Sequence, residues 1–148
     1  MLSFDDSDRA AELQSRAHDL MEEVVLPKER QLTGGMTVSQ GTIDELRAAA
    51  REYNIYCPQI DKEYGGMGED FRDVLPVFEE AGRSLLGSLA MRVSAPDEGN
   101  MHLLELQGTE LQKEQYLEPL VAGDILSVVS LCATGGQIVH KNFSLTVY

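Results

Sequence analysis

A mainly α-helical bundle with a short β appendage at its C-terminal end is the fold class that this sequence of 148 residues predicts. Three observations carry the prediction. Apolar residues recur at three- and four-residue intervals in several separate segments between Leu13 and Val121, the spacing of one helix face. Residues that cap helices stand where those runs begin and end. Beyond Asp124 the pattern changes, with β-branched Ile125, Val128 and Val129 and then a rough alternation from Gln137 to Tyr148, as in strands. About five or six antiparallel helices account for the apolar runs.

The first helix spans Ser7 to Val25, with Leu13, Ala17, Leu20, Met21 and Val24 on its inner face and Pro27 closing it. Leu32 to Gly41 holds three glycines and no apolar period, so it reads as an exposed loop. A second helix opens at Thr42, where Thr42 and Glu45 match a capping box; Ile43, Leu46, Ala50 and Tyr53 form its buried face and Asn54 stops it. Asp70 caps a third, with Val74, Leu75, Phe78 and Gly82 inward and Glu79 paired with Arg83 outside. Pro76 should kink or shorten that helix. Leu85 to Pro96 mixes small and apolar residues without a period. Asp97 to Leu106 forms a fourth helix ended by Gly108. Thr109 and Gln112 then cap a last one through Leu111, Leu117, Leu120 and Val121, with Pro119 disturbing its final turn and Gly123 ending it. Residues 1–124 thus form a helical domain, and 125–148 begin a β-rich one without completing it.

A chain of this length buries roughly 68 to 70% of its unfolded surface, enough for one domain with a real core. The net charge of −13, from 25 acidic against 12 basic residues, opposes a nucleic-acid partner, whose phosphates require a basic surface. It opposes an anionic membrane surface for the same reason, and no apolar run is long enough to span a bilayer. Cys57 and Cys132 lie far apart without CxxC spacing, so neither zinc nor a disulfide framework is indicated and a cytoplasmic setting is expected. Met1 to Arg9 has three aspartates and no basic stretch before an apolar one, unlike a secretory signal.

The densest chemical signal is Pro58 to Gly68, with glycines at 65, 66 and 68 just before the helix at Asp70. Glycines before a helix can cradle phosphate, but Glu63, Glu69, Asp70 and Asp73 crowd this helix start and the spacing matches neither Walker nor GxGxxG patterns, which favours a structural turn. Glu98, His102 and Glu105 share a side of the fourth helix and could form a metal or acid–base cluster, although a surface network explains them as well. Ser84, Ser94, Ser127 and Ser130 lack the GxSxG elbow of a hydrolase nucleophile. Met91, Met101, Leu103 and Leu104 could wall an apolar channel or belong to the core.

Taken together, Pro58 to Gly68 and the series Gly108, Thr109, Gln112, Lys113, Tyr116, Leu117, Pro119, Leu120 and Gly123 resemble the acyl-CoA dehydrogenase family. The stretch from Glu79 and Arg83 to Ala95, Pro96, Asp97, Glu98, Gly99 and Asn100 resembles it too, notably a branch related to the long multidomain members; the likeness covers roughly Phe4 to Ser130. The resemblance implies an enzyme of three parts, an N-terminal helical domain, a middle β-domain that holds FAD, and a C-terminal helical domain that carries the catalytic carboxylate. In such enzymes the α-proton of an acyl-CoA thioester is removed while hydride passes to the flavin, and electron-transfer flavoprotein reoxidises it.

By that resemblance the chain is the first part, serves fatty acid metabolism, and supplies no catalytic residue. Pro96, Asn100, Met101 and Leu104 are expected to wall the acyl pocket. Where the family shows Met, Thr, Glu, Pro and then Gly, Ser, Asp, this sequence reads Leu131, Cys132, Ala133, Thr134, Gly135, Gly136, Gln137. Only Val129, Leu131 and Cys132 occupy matching cofactor-binding positions. A fragment inactive alone fits this departure, as does a natural small protein whose Gln137 to Tyr148 folds back as two short strands around Lys141 and Asn142. The alternative to an enzyme domain is a non-catalytic interaction domain that docks on a complete homologue or on itself.

Overall fold

Ser7 sets the first helix: its hydroxyl accepts the Ala10 amide, and α1 runs Asp8–Leu20 with Ala10, Leu13, Ala17 and Leu20 buried. The computed structural model describes residues 7–32, 38–131 and 143–147. Pro27 does not close this helix. Met21–Val25 form a π turn in which the Leu26 amide reaches back to Met21 O, and α2 continues through Leu26–Gln31 with Pro27 in its first turn. A proline lacks the donor for an α bond and its ring clashes with the carbonyl four residues back; widening the preceding turn gives that ring room. The same turn shifts the buried face, so Val25 is fully buried where the helical spacing favoured Val24.

The second long helix begins earlier than Thr42. Ser39 is the cap, accepting the Thr42 amide at 3.2 Å, and α3 spans Gln40–Glu52 with Gly41 inside it. Ser39 precedes Thr42 by three residues, so both satisfy the spacing of a cap and the helix takes the longer option. Asn54 adopts φ 52 and ends the helix as expected. Residues 33–37 of the loop before it lie outside the described residues.

Asp70 caps α4, Phe71–Ala81, through the Arg72 amide at 2.9 Å. Its inner face is Val74, Val77 and Ala81 with Pro76, whereas Leu75 is 48% exposed and Gly82 is exposed. Val74 is buried as expected and Phe78 is half-buried, while Val77 and Ala81 take the inward positions that the spacing gave to Leu75 and Gly82. Pro76 does not shorten the helix, and Arg83 pairs with Glu80 at 2.7 Å and with Glu22, not with Glu79. Leu85 to Pro96, which lacked a period, contains α5, Leu85–Met91, capped by Ser84 at the Leu86 amide. Leu86, Gly87, Ala90 and Met91 are buried there, and so short a helix has little room for a polar face to show in the sequence. Its close packing is visible at Gly87, where a Cβ would lie 2.5 Å from Ala81 O.

The chain divides between Ser94 and Ala95 into two compact units. In the first, α1 packs on α4 and α3 on α5. Its core also takes in Ile55, Tyr56, Cys57 and Ile60 from the non-helical stretch after α3. Arg9 ties the start of α1 to that loop: Nε donates to Glu69 Oε2 at 2.9 Å and Nη2 to Oε1, while Ser7 Oγ bonds Asp73 Oδ1 at 2.6 Å. In the second unit α6, Asp97–Gln107, ends at Gly108. The expected Thr109–Gln112 capping box opens α7, Glu110–Gln112, followed by a π turn at Lys113–Leu117 and by α8, Glu118–Ala122, with Gly123 at φ 91 after it. The irregularity attributed to Pro119 falls in the turn before it, and Leu111 is exposed rather than inward. Strand β1, Ser127–Leu131, pairs antiparallel with β2, Phe143–Val147, Ser127 opposite Val147 and Leu131 opposite Phe143. Lys141 and Asn142, the proposed turn, lie outside the described residues. Among the described residues, six helical runs and the strand pair match the predicted fold class.

Two tests follow from this packing. A Cβ at Gly66 would sit 2.0 Å from Ile60 O, so Gly66→Ala should destabilise by more than about 3 kcal/mol in urea unfolding. Gly41→Ala, with Ser39 Oγ 4.0 Å away as its nearest neighbour, should instead stabilise by about 0.5–1 kcal/mol, as alanine does in an open helix position. The second concerns pH. Hydrogen bonding to Arg9 holds the Glu69 carboxyl below its ordinary value of 4.5, so its contribution is present above that value and is lost as pH falls through the lowered one. Thermal melts should therefore show an acid-side loss of about 1 kcal/mol that Glu69→Gln removes, the size of a partly exposed pair.

Candidate functional site

The glycine loop is a turn whose amides from Tyr64 to Glu69 are all taken. Within Lys62–Tyr64, a single 3₁₀ turn, and the residues after it, Tyr64 N and Gly66 N donate to Asp61 O, both at 3.1 Å, and Gly65 N to Lys62 O at 3.1 Å. Met67 N reaches Cys57 O at 3.2 Å, Gly68 N reaches Ile60 O at 2.8 Å and Glu69 N reaches Pro58 O at 2.9 Å. A phosphate would need amides pointing outward, and from Tyr64 to Glu69 each amide bonds a carbonyl of the same segment. The loop therefore staples Cys57–Ile60 into the core. Arg51 lies over the Tyr56 ring, 3.7 Å from its centroid, and burial pushes the Tyr56 phenol above its ordinary value.

On α6 the residues expected to wall an acyl pocket are spread over different environments. Met101 is fully buried and Leu104 is 7% exposed, one helical turn apart on the inner face, whereas Pro96 is exposed ahead of the helix and joined to Ala95 by a cis peptide. Leu103, grouped with them by sequence, faces outward at 41% exposure, and Met91 is buried in α5 of the first unit. Asn100 is buried and its amide nitrogen donates to Ser127 Oγ at 2.8 Å. Of the positions matched to cofactor binding, Val129 and Leu131 lie on β1 and Cys132 lies outside the described residues.

The three side chains Glu98, His102 and Glu105 meet only in part. His102 Nδ1 is 3.4 Å from Glu105 Oε2, while burial raises the Glu98 carboxyl and nearby His102 lowers it. Among the described residues no group of three or more His, Cys, Asp or Glu side chains is placed to hold a metal ion. Among the described residues, too, no helix is long and apolar enough to cross a membrane.

Two features were not read from the sequence. Asp97 Oδ1 accepts the Ser127 amide at 2.7 Å and its hydroxyl at 2.6 Å, so a serine weighed only as a nucleophile is a buried structural partner. A separation of 30 residues leaves no local pattern for such a contact. The other is an apolar recess of about 410 Å³ in the first unit, lined by Leu32, Val38, Leu85, Leu86 and Leu89 with Glu29 and Ser88 at its polar edge. Its walls come from segments that showed no period.

Comparison with known proteins agrees with this arrangement. The family described as "Acyl-CoA dehydrogenase, N-terminal domain" matches residues 7–124. Acyl-CoA dehydrogenase family member 11 of Mus musculus is 31% identical over 137 residues, covering 84% of this chain and 17% of the relative. The Mycobacterium tuberculosis protein named acyl-CoA dehydrogenase FadE2 is 30% identical over 138 residues, covering 88% of this chain and 33% of the relative. A solved structure described as an acyl-CoA dehydrogenase from Mycobacterium abscessus superposes with a TM-score of 0.69 at 33% identity, over 82% of this chain and 33% of that one. The chain thus spans from about a sixth to a third of the length of these relatives. With the helical fold, the caps and the glycine turn in place, the match over residues 7–124 makes this chain a member of the acyl-CoA dehydrogenase family, carrying its N-terminal domain.

Proposed function

We propose that this chain is the helical part of an FAD-dependent dehydrogenase that introduces a double bond between the α and β carbons of an acyl-CoA thioester. The observation that carries the reading is the family match over residues 7–124 together with a 33%-identical structural neighbour. On this reading residues 1–124 act as the helical domain and 125–148 open the flavin-binding one. Pro96, Asn100, Met101 and Leu104 belong to the α6 side of the acyl pocket, with Met101 and Leu104 packed on the inner face of the helix and Asn100 holding it against β1.

The described residues do not fit FAD by themselves. A dinucleotide carries a diphosphate, which calls for cations or free amides. Among its described residues the second unit instead presents Glu98, Glu105, Glu110, Glu114, Glu118 and Asp124 against Lys113, and Lys113 already faces Glu110 at 3.6 Å. Near Val129 and Leu131 the described chain offers a two-stranded ladder. This balance supports a domain that relies on the rest of an acyl-CoA dehydrogenase for flavin, for the proton-abstracting carboxylate, and for exchange of electrons with a flavoprotein acceptor. No chemical step is assigned to these residues; their part is to enclose the acyl chain and exclude water from it.

Octanoyl-CoA with an electron-accepting dye tests the reading. The 148-residue chain, supplied with FAD, is expected to stay colourless after gel filtration and to reduce no dye. A chimera that joins its residues through Leu131 to the remainder of the Mycobacterium tuberculosis relative should be yellow and reduce the dye. Turnover by the short chain would overturn its dependence on other domains, and a folded, flavin-loaded chimera inert toward acyl-CoA thioesters of several lengths would overturn the substrate class.

A further inference from the structure

Three polar side chains that could each have been apolar meet inside the second unit. Asp97, Asn100 and Ser127 are 5%, 3% and 4% exposed, and their hydrogen bonds close on one another. The Ser127 amide and hydroxyl both donate to Asp97 Oδ1, at 2.7 and 2.6 Å, and the hydroxyl oxygen accepts from Asn100 Nδ2 at 2.8 Å. The hydroxyl proton and a lone pair are thus both used. Burial of such groups is unfavourable unless every one is bonded, and an apolar trio would hold α6 and β1 together without distinguishing one alignment from another. This trio does distinguish. Val128, the next residue, is 41% exposed, and sliding β1 by one position would carry the Ser127 hydroxyl to the opposite face and take two donors from a buried carboxylate.

We propose that Asp97, Asn100 and Ser127 are positioning residues that fix the register of β1 on the first turn of α6. Strand positions Val129 and Leu131 are thereby set relative to Met101 and Leu104 on the helix. That last consequence rests on the acyl-CoA dehydrogenase reading above; the register lock itself does not.

Hydrogen exchange of the whole 148-residue chain, read amide by amide, tests the lock. Ser127→Ala and Asn100→Leu should each speed exchange of the β1 amides roughly tenfold, while α1 and α4 amides in the same spectra keep their protection and show that the chain is folded. Ser127→Thr, which retains the hydroxyl, should restore slow β1 exchange. Unchanged β1 exchange in Ser127→Ala, an equal loss of protection in α1 and α4, or no recovery in Ser127→Thr would each overturn the proposal. An inert chimera in the dye assay would remove the functional reading and leave the exchange result standing on its own.

Discussion

Six consecutive residues, Ile55 to Ile60, are buried without belonging to a helix, and the first unit is organised around the need to bond their backbone. Water cannot reach these carbonyls and amides, so partners must come from the protein. The Ile55 amide bonds Ala50 O at the end of α3, Cys57 N bonds Met91 O at the end of α5, and the carbonyls of Cys57, Pro58 and Ile60 accept from the returning glycine loop. Gly66 makes the return possible, because Ile60 O and Cys57 O lie where its Cβ would be. A loop that looked like a ligand cradle is therefore an interior wall, and the Arg9–Glu69 pair fastens its far end to α1.

Much of this was legible because caps and stops are local. Asp70, Thr109 with Gln112, Gly108, Gly123 and Asn54 lie within four residues of the groups they satisfy, and all act as their chemistry suggests. Faces were harder. Leu75 was expected inward beside Val74, yet Val74 and Val77 are fully buried and Leu75 is 48% exposed. The trio of Asp97, Asn100 and Ser127 was hidden for a different reason: hydrogen bonds across 27 and 30 residues leave no periodicity, and a lone serine carries no sign of burial.

The same trio sets how the inner face of α6 is used. Asn100 donates its amide nitrogen to Ser127, while Met101 and Leu104 pack on the inner face of the same helix. On the proposed reading, the acyl pocket would take apolar contacts from this side and its flavin chemistry from other domains.

The two π turns also bear on how this chain is compared with others. Each places one extra residue inside a helix just ahead of a proline, Met21–Val25 before Pro27 and Lys113–Leu117 before Pro119. One residue corresponds to about 100° of helical rotation, so everything after the turn is wound to a new phase. A relative with a regular helix in place of either proline needs one residue fewer, and the gap that aligns the two falls in mid-helix instead of in the neighbouring loop. A helical wheel drawn straight through Met21–Val25 or Lys113–Leu117 carries the residues before the turn about 100° out of step with those beyond it.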